Sequence, residues 1–243
     1  MPAVATPPAI CAPGSFAAYD DLGNWSPCVT ARGAVVAEST YIQNASAVGG
    51  TNYAAYPMLD LRTGLVHGLE LAFHSPSQVA ESGPKGIGLY PTTHLGYGLR
   101  FAAITLPRLA VAVATDVLPP MSRFSSNQTQ SRYVFGVSSA YELTPRFALG
   151  FATSGTSSGS VGFARFLPAQ IFKASYAIGS RTAITADLGS REPVRRTPQS
   201  FGDIAVNESL NTHVAVKIGV GTTFNSAMNS KAHYLATGFN YRT

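Results

Sequence analysis

The chain has 243 residues, of which 12% are charged and 45% hydrophobic, with a net charge of +5 and an isoelectric point near 9.3. No run of 18 apolar residues occurs, which excludes a transmembrane helix, and the charged share is about half that of an ordinary soluble domain. The 17 Lys and Arg are scattered singly, apart from Arg191, Arg195 and Arg196, so no basic helix or metal-finger spacing supports a nucleic-acid partner.

The N-terminal "MPAVATPPAI" has neither a charged n-region nor a sustained h-region. Either a signal peptide was removed before Met1, or export uses a signal that cannot be read here. Cys11 and Cys28 are the two cysteines. One disulfide in an oxidising compartment is the simplest reading, and two unpaired buried thiols are the alternative. Two thiols without C-x-x-C or a histidine pair make no metal site, and nothing in the chain points to a cofactor. Residues 1–28, with Phe16, Tyr19 and Trp25, are read as a segment separate from residues 29–243.

From residue 29 onward a unit recurs: an alternating run, a short turn, a second alternating run, then a long polar connection. The short turns are "VHG" (66–68), "LPR" (106–108), "TPR" (144–146), "GSR" (179–181) and "NTH" (211–213). The long connections fall near 44–52, 75–91, 118–130, 154–169, 189–203 and 225–231. Twelve strands are expected near 29–42, 53–65, 69–75, 92–104, 108–117, 131–143, 147–153, 167–178, 181–188, 204–210, 213–224 and 231–243. Strict alternation of short and long connections, and an even strand number, describe an all-β transmembrane antiparallel up-and-down barrel of the bacterial outer membrane. Short periplasmic turns and even parity place both termini on the periplasmic side.

Each strand pairs a large apolar face with a small-and-charged one. In 131–143, Tyr133, Phe135, Val137, Tyr141 and Leu143 alternate with Arg132, Val134, Gly136, Ser138 and Glu142. In "HVAVKIGVGTTF" (213–224), Val214, Val216, Ile218, Val220 and Phe224 alternate with Lys217 and glycines. A face of Gly, Ala and Ser with isolated charges suits a confined lumen, so the apolar face is assigned to lipid. Tyr41, Tyr97, Phe101, Tyr133, Tyr141, Tyr176, Phe224, Phe239 and Tyr241 on that face fit an interfacial girdle. Projected inward are Arg32, Glu38, Asp60, Arg62, Glu70, His74, His94, Arg100, Asp116, Arg132, Glu142, Lys173, Asp187, Lys217, Asn240 and Arg242. Such groups either line a water-filled channel and set its selectivity, or pair off and close the interior. The 1–28 segment, tethered through Cys11 and Cys28, is expected either to enter the lumen as a plug or to cap the periplasmic end.

"PMLDLRTGLVHGLELAF" (57–73), "HLGYGLRF" (94–101) and "HYLATGFNYRT" (233–243) resemble a family of outer-membrane transporter-like proteins associated with the meta-pathway of phenol degradation. The resemblance spreads over most of residues 50–243 and rests on pattern more than on a fixed motif. "GIGLYPTTH" lacks the acidic residue the family carries after its Gly-rich loop, and the chain ends in Thr243 and not an aromatic. The resemblance implies passage of small, hydrophobic or aromatic molecules.

The expected function is therefore an outer-membrane channel or transporter for small-molecule solutes. The alternative is a closed structural or adhesive barrel whose loops bind partners. An outer-membrane lipase built on Ser230, His233 and Asn229 or Asn240 has no diagnostic spacing, and no enzyme is expected. Lys85, Arg123, Arg165, Arg191, Arg195, Arg196 and Lys231 outnumber Glu81, Glu192 and Asp203 in the long connections. That excess is read as contact with the anionic head groups of outer-membrane lipid and lipopolysaccharide. No strand face is polar enough to identify a subunit interface.

Overall fold

In a computed structural model, alternation of bulky and small residues closes into a barrel. The structure describes residues 9–11, 26–46, 52–75, 78–83, 86–91, 95–119, 131–158, 165–191, 199–224 and 232–243. A short 3-10 turn, Ala9–Cys11, precedes fourteen strands. They are β1 (Val35–Ser46), β2 (Asn52–Val66), β3 (Leu69–His74), β4 (Gln78–Gly83), β5 (Gly86–Pro91), β6 (Gly96–Leu106) and β7 (Leu109–Leu118). The rest are β8 (Arg132–Thr144), β9 (Phe147–Ser158), β10 (Arg165–Ala177), β11 (Thr182–Arg191), β12 (Gln199–Ser209), β13 (Val214–Thr223) and β14 (Ala232–Arg242). Neighbours pair antiparallel in chain order from β6 to β14, β14 pairs with β1, and β1 pairs with β2. With β3 between β2 and β6, twelve strands close the ring.

The expected strands all appear, with three corrections. The first begins at Val35 and not at residue 29, so Arg32 lies ahead of it, exposed. β9, β10, β11 and β12 run further than expected, which shortens the connections at 154–169 and 189–203. The region 75–91 is no loop. β4 follows β3 along β2 in one register, with Asp60 facing His74 and, five residues further, Ala55 facing Val79. β5 then pairs back along β4. Ser75 accommodates the break between β3 and β4: its backbone N–H donates to the Leu59 carbonyl and its hydroxyl accepts from the Leu59 N–H. Ser, Pro and Gly around 75–86 mimic loop composition, while "GIGLY" keeps the alternation of a strand.

The faces sort as their residue types require. Leu99, Phe101, Phe135, Tyr141, Phe172, Leu188, Ile204, Ile218 and Val220 are exposed, whereas Ala110, Ala112, Ala114, Ala140, Ala152, Ala205 and Ala236 are buried. A water-soluble surface does not carry so continuous an apolar band, so the outer face is built for lipid. On β13, Ile218 is 58% and Val220 61% exposed, with Gly219 buried between them. An arginine at Ile218 meets hydrocarbon. Ile218→Arg is expected to lower the unfolding free energy in lipid vesicles by about 2–4 kcal/mol, measured by denaturant titration.

Candidate lumen site

The inner face concentrates charge beside the short turns. Gly64 on β2 stands opposite Glu70 on β3, and Glu70 opposite Arg100 on β6. Arg62, Glu70 and Arg100 are 1%, 0% and 1% exposed. Arg62 Nη2 donates to Glu38 Oε1 at 2.9 Å, and its Nη1 lies 3.5 Å from Glu70 Oε2. Arg100 Nη1 lies 3.6 Å from Glu70 Oε1. Two guanidinium groups thus flank one dry carboxylate. In a medium of low polarity such a carboxylate is tolerable only when paired and hydrogen-bonded.

The third partner of Glu70 comes from the stretch between the N-terminal segment and β1. The Thr30 N–H donates to Glu70 Oε2 at 2.6 Å, and Arg62 Nη1 donates to the Cys28 carbonyl at 3.4 Å. Gly64 makes this approach possible, because a Cβ there would overlap the Ala31 carbonyl. The Gly33 N–H donates to the Gly64 carbonyl at 3.0 Å, and Gly33 takes a positive φ of 76°, which favours glycine. Cys11 and Cys28 form a disulfide. On the chain-entropy account, a loop of this length stabilises the folded state by about 3 kcal/mol. Ile10, Cys11 and Cys28 pack with Ala110 of β7 and Ala140 of β8, while Arg242 of β14 donates to the Cys11 carbonyl at 3.5 Å. The segment therefore touches walls on opposite sides of the ring.

One step farther from the short turns, His74 on β3 links two strands. Its Nδ1 lies 2.6 Å from Asp60 Oδ1 on β2, and its Nε2 3.4 Å from Asp116 Oδ1 on β7. Asp116 reaches past β6 because that strand reads Gly96, Tyr97, Gly98, and a Cβ at Gly98 would overlap the carboxylate.

Of the residues expected to face the lumen, Glu38, Arg62, Glu70 and Arg100 form the first group and Asp60, His74 and Asp116 the second. Lys173 and Asp187 are buried on β10 and β11, opposite each other. Lys217 is half-buried on β13. Arg132 and Glu142 are half-buried near the two ends of β8, and Asn240 and Arg242 half-buried on β14. Arg32, exposed ahead of β1, is not part of the cluster, and His94 lies outside the described residues. Asp203, assigned to a long connection, instead lies within β12, opposite Asp187, and accepts a hydrogen bond from the Tyr234 hydroxyl at 2.6 Å. The alternation Asp203, Ala205, Asn207 against Ile204 and Val206 carried that information. Of the lipase residues, Ser230 and Asn229 fall outside the described residues, while His233 and Asn240, an odd number of positions apart on β14, project from opposite faces.

No family model and no curated protein matches the sequence. Solved structures do match the fold. An outer membrane channel from Pseudomonas putida F1 aligns with a TM-score of 0.68 at 13% identity, covering 93% of this chain and 100% of that one. The KdgM porin in complex with disordered oligogalacturonate aligns at 0.53 and 10% identity, covering 84% and 98%. The CymD monoaromatic hydrocarbon channel aligns at 0.50 and 8% identity, covering 86% and 87%. The fold is that of the porin-like outer-membrane β-barrels.

Glu70→Gln removes the charge both arginines share and weakens the Thr30 contact. Breaking one partner out of such a network is expected to cost about 3–5 kcal/mol, read from denaturant unfolding in vesicles. Gly64→Val, in contrast, should leave the strands paired but push residues 30–34 off β2, seen as an unchanged far-ultraviolet spectrum with faster proteolysis before β1.

Proposed function

We propose that the protein is an outer-membrane channel for the passive passage of small uncharged molecules, with residues 1–28 as its plug. The observation that carries this reading is a closed twelve-stranded barrel whose buried charges near the short turns sit beside opposite charges, with Ile10, Cys11 and Cys28 held between opposite walls. A polyanion such as oligogalacturonate, named with the KdgM porin, gains little from arginines already held by Glu38 and Glu70. A neutral cargo, of the kind named for the CymD hydrocarbon channel, needs no such charge. Short turns at one rim favour periplasmic termini, and the lipid-facing band favours outer-membrane lipid and lipopolysaccharide as its surroundings. The buried packing of Ile10 against Ala110 and Ala140 favours a second reading, a permanently closed barrel with a structural or loop-binding role.

Planar-bilayer recordings with liposome swelling separate the two. Removal of residues 1–27 is expected to raise single-channel conductance severalfold and to admit uncharged solutes. Identical traces with and without those residues would remove the plug, and silence of both forms would favour the closed barrel.

A further inference from the structure

The rim at the short turns carries the barrel's exposed charge. Among the described side chains four arginines are exposed, Arg32, Arg108, Arg146 and Arg181, and all four lie at this end. Arg32 bridges to Gly64 near the turn between β2 and β3, and the other three close the turns β6–β7, β8–β9 and β10–β11. Every Asp and Glu among the described side chains is buried or half-buried. The rim is therefore a ring of cations with no exposed carboxylate side chain, among those described, to balance it.

One geometry recurs around this ring. The Glu142 N–H donates to the Arg108 carbonyl, that of Ala177 to Arg146 and that of Ser209 to Arg181, each at 2.8 Å. The next strand thus fixes the backbone of each arginine while the side chain stays exposed. Two or three positions before each cation stands an exposed apolar side chain: Leu106 before Arg108, Leu143 before Arg146, Ile178 before Arg181. These three end the outward apolar face of β6, β8 and β10. Tips two strands apart are on the order of 10 Å from each other. That is about one Debye length, so their potentials overlap.

Arginine pairs with phosphate through two parallel hydrogen bonds. A free inorganic anion uses the charge and leaves the apolar neighbours in water. A lipid with a negatively charged head group and acyl chains uses both. We propose that the short-turn rim binds anionic phospholipid, each head-group phosphate against an arginine and the acyl chains along the apolar residue before it. The proposal is independent of the channel reading. It takes its leaflet, the periplasmic one, from the orientation proposed above.

The full chain in phosphatidylcholine vesicles tests it, with spin-labelled phosphatidylglycerol or phosphatidylcholine as the probe and electron paramagnetic resonance reading the lipid held at the protein surface. Phosphatidylglycerol is expected to be held about fivefold more strongly at positions an arginine faces, and less so as salt is raised. Replacing Arg108, Arg146 and Arg181 together by glutamine should remove the preference, and replacing them by lysine should keep it. Far-ultraviolet spectra establish that both variants are barrels. Equal retention of the two lipids by the parent overturns the proposal, as does an undiminished preference in the glutamine variant. Displacement of phosphatidylglycerol by soluble polyglutamate assigns the rim to an acidic protein and likewise overturns it. The leaflet has its own test, since both native cysteines are in the disulfide. Arg146→Cys should react with a membrane-impermeant maleimide only after the outer membrane is permeabilised; reaction in intact cells overturns the orientation and leaves the lipid preference to the vesicles.

Discussion

One carboxylate with no exposed surface, Glu70, organises the short-turn end of this barrel. It lies between Arg62 and Arg100 and accepts the Thr30 N–H. Each of these groups is expensive to bury alone and tolerable together. Remove the carboxylate and two guanidinium groups face each other in a dry interior. Remove the Thr30 contact and the carboxylate loses its shortest hydrogen bond. The wall and the N-terminal segment are therefore mutually dependent, and Gly64 is the gap through which they meet.

The same economy of space operates around His74. Glycines on β6 let Asp116 cross a strand to reach it, so one imidazole and two carboxyl groups on three strands meet. Across the lumen the glycines serve a different purpose, seating aromatic rings against the wall. Glycine in a strand interior ordinarily weakens it by removing a side chain that could pack. Here the loss is local, while closure of the ring and antiparallel pairing of each strand with its neighbours from β6 to β14 and β1 hold the strands.

Much of this architecture was legible because a strand's side chains alternate with period 2, a purely local signal. Ile218 outside and Gly219 inside follow from spacing alone. Arg62 and Glu70 flank one short turn, so hairpin pairing alone brings them near each other. What sequence could not supply were meetings set by closure and close approach. Thr30 lies forty residues from Glu70, and Gly64 in a strand gives no sign of the carbonyl it must admit. Asp116 reaches His74 only because β6 lies between them and carries glycine where a side chain would block. Asp203 was hidden by the Pro- and Arg-rich stretch before it, which lengthened the apparent loop, and β4 and β5 were hidden by Ser, Pro and Gly.

The central claim is that residues 26–30 are locked inside the barrel by Glu70. Hydrogen–deuterium exchange at the Thr30 amide, in the intact protein embedded in lipid, tests it most directly. The account predicts protection comparable to that of amides in β2 and β3, and its loss in Glu70→Gln while those strands stay protected. Exchange of the Thr30 amide at the rate of an unstructured peptide in the parent protein would contradict it.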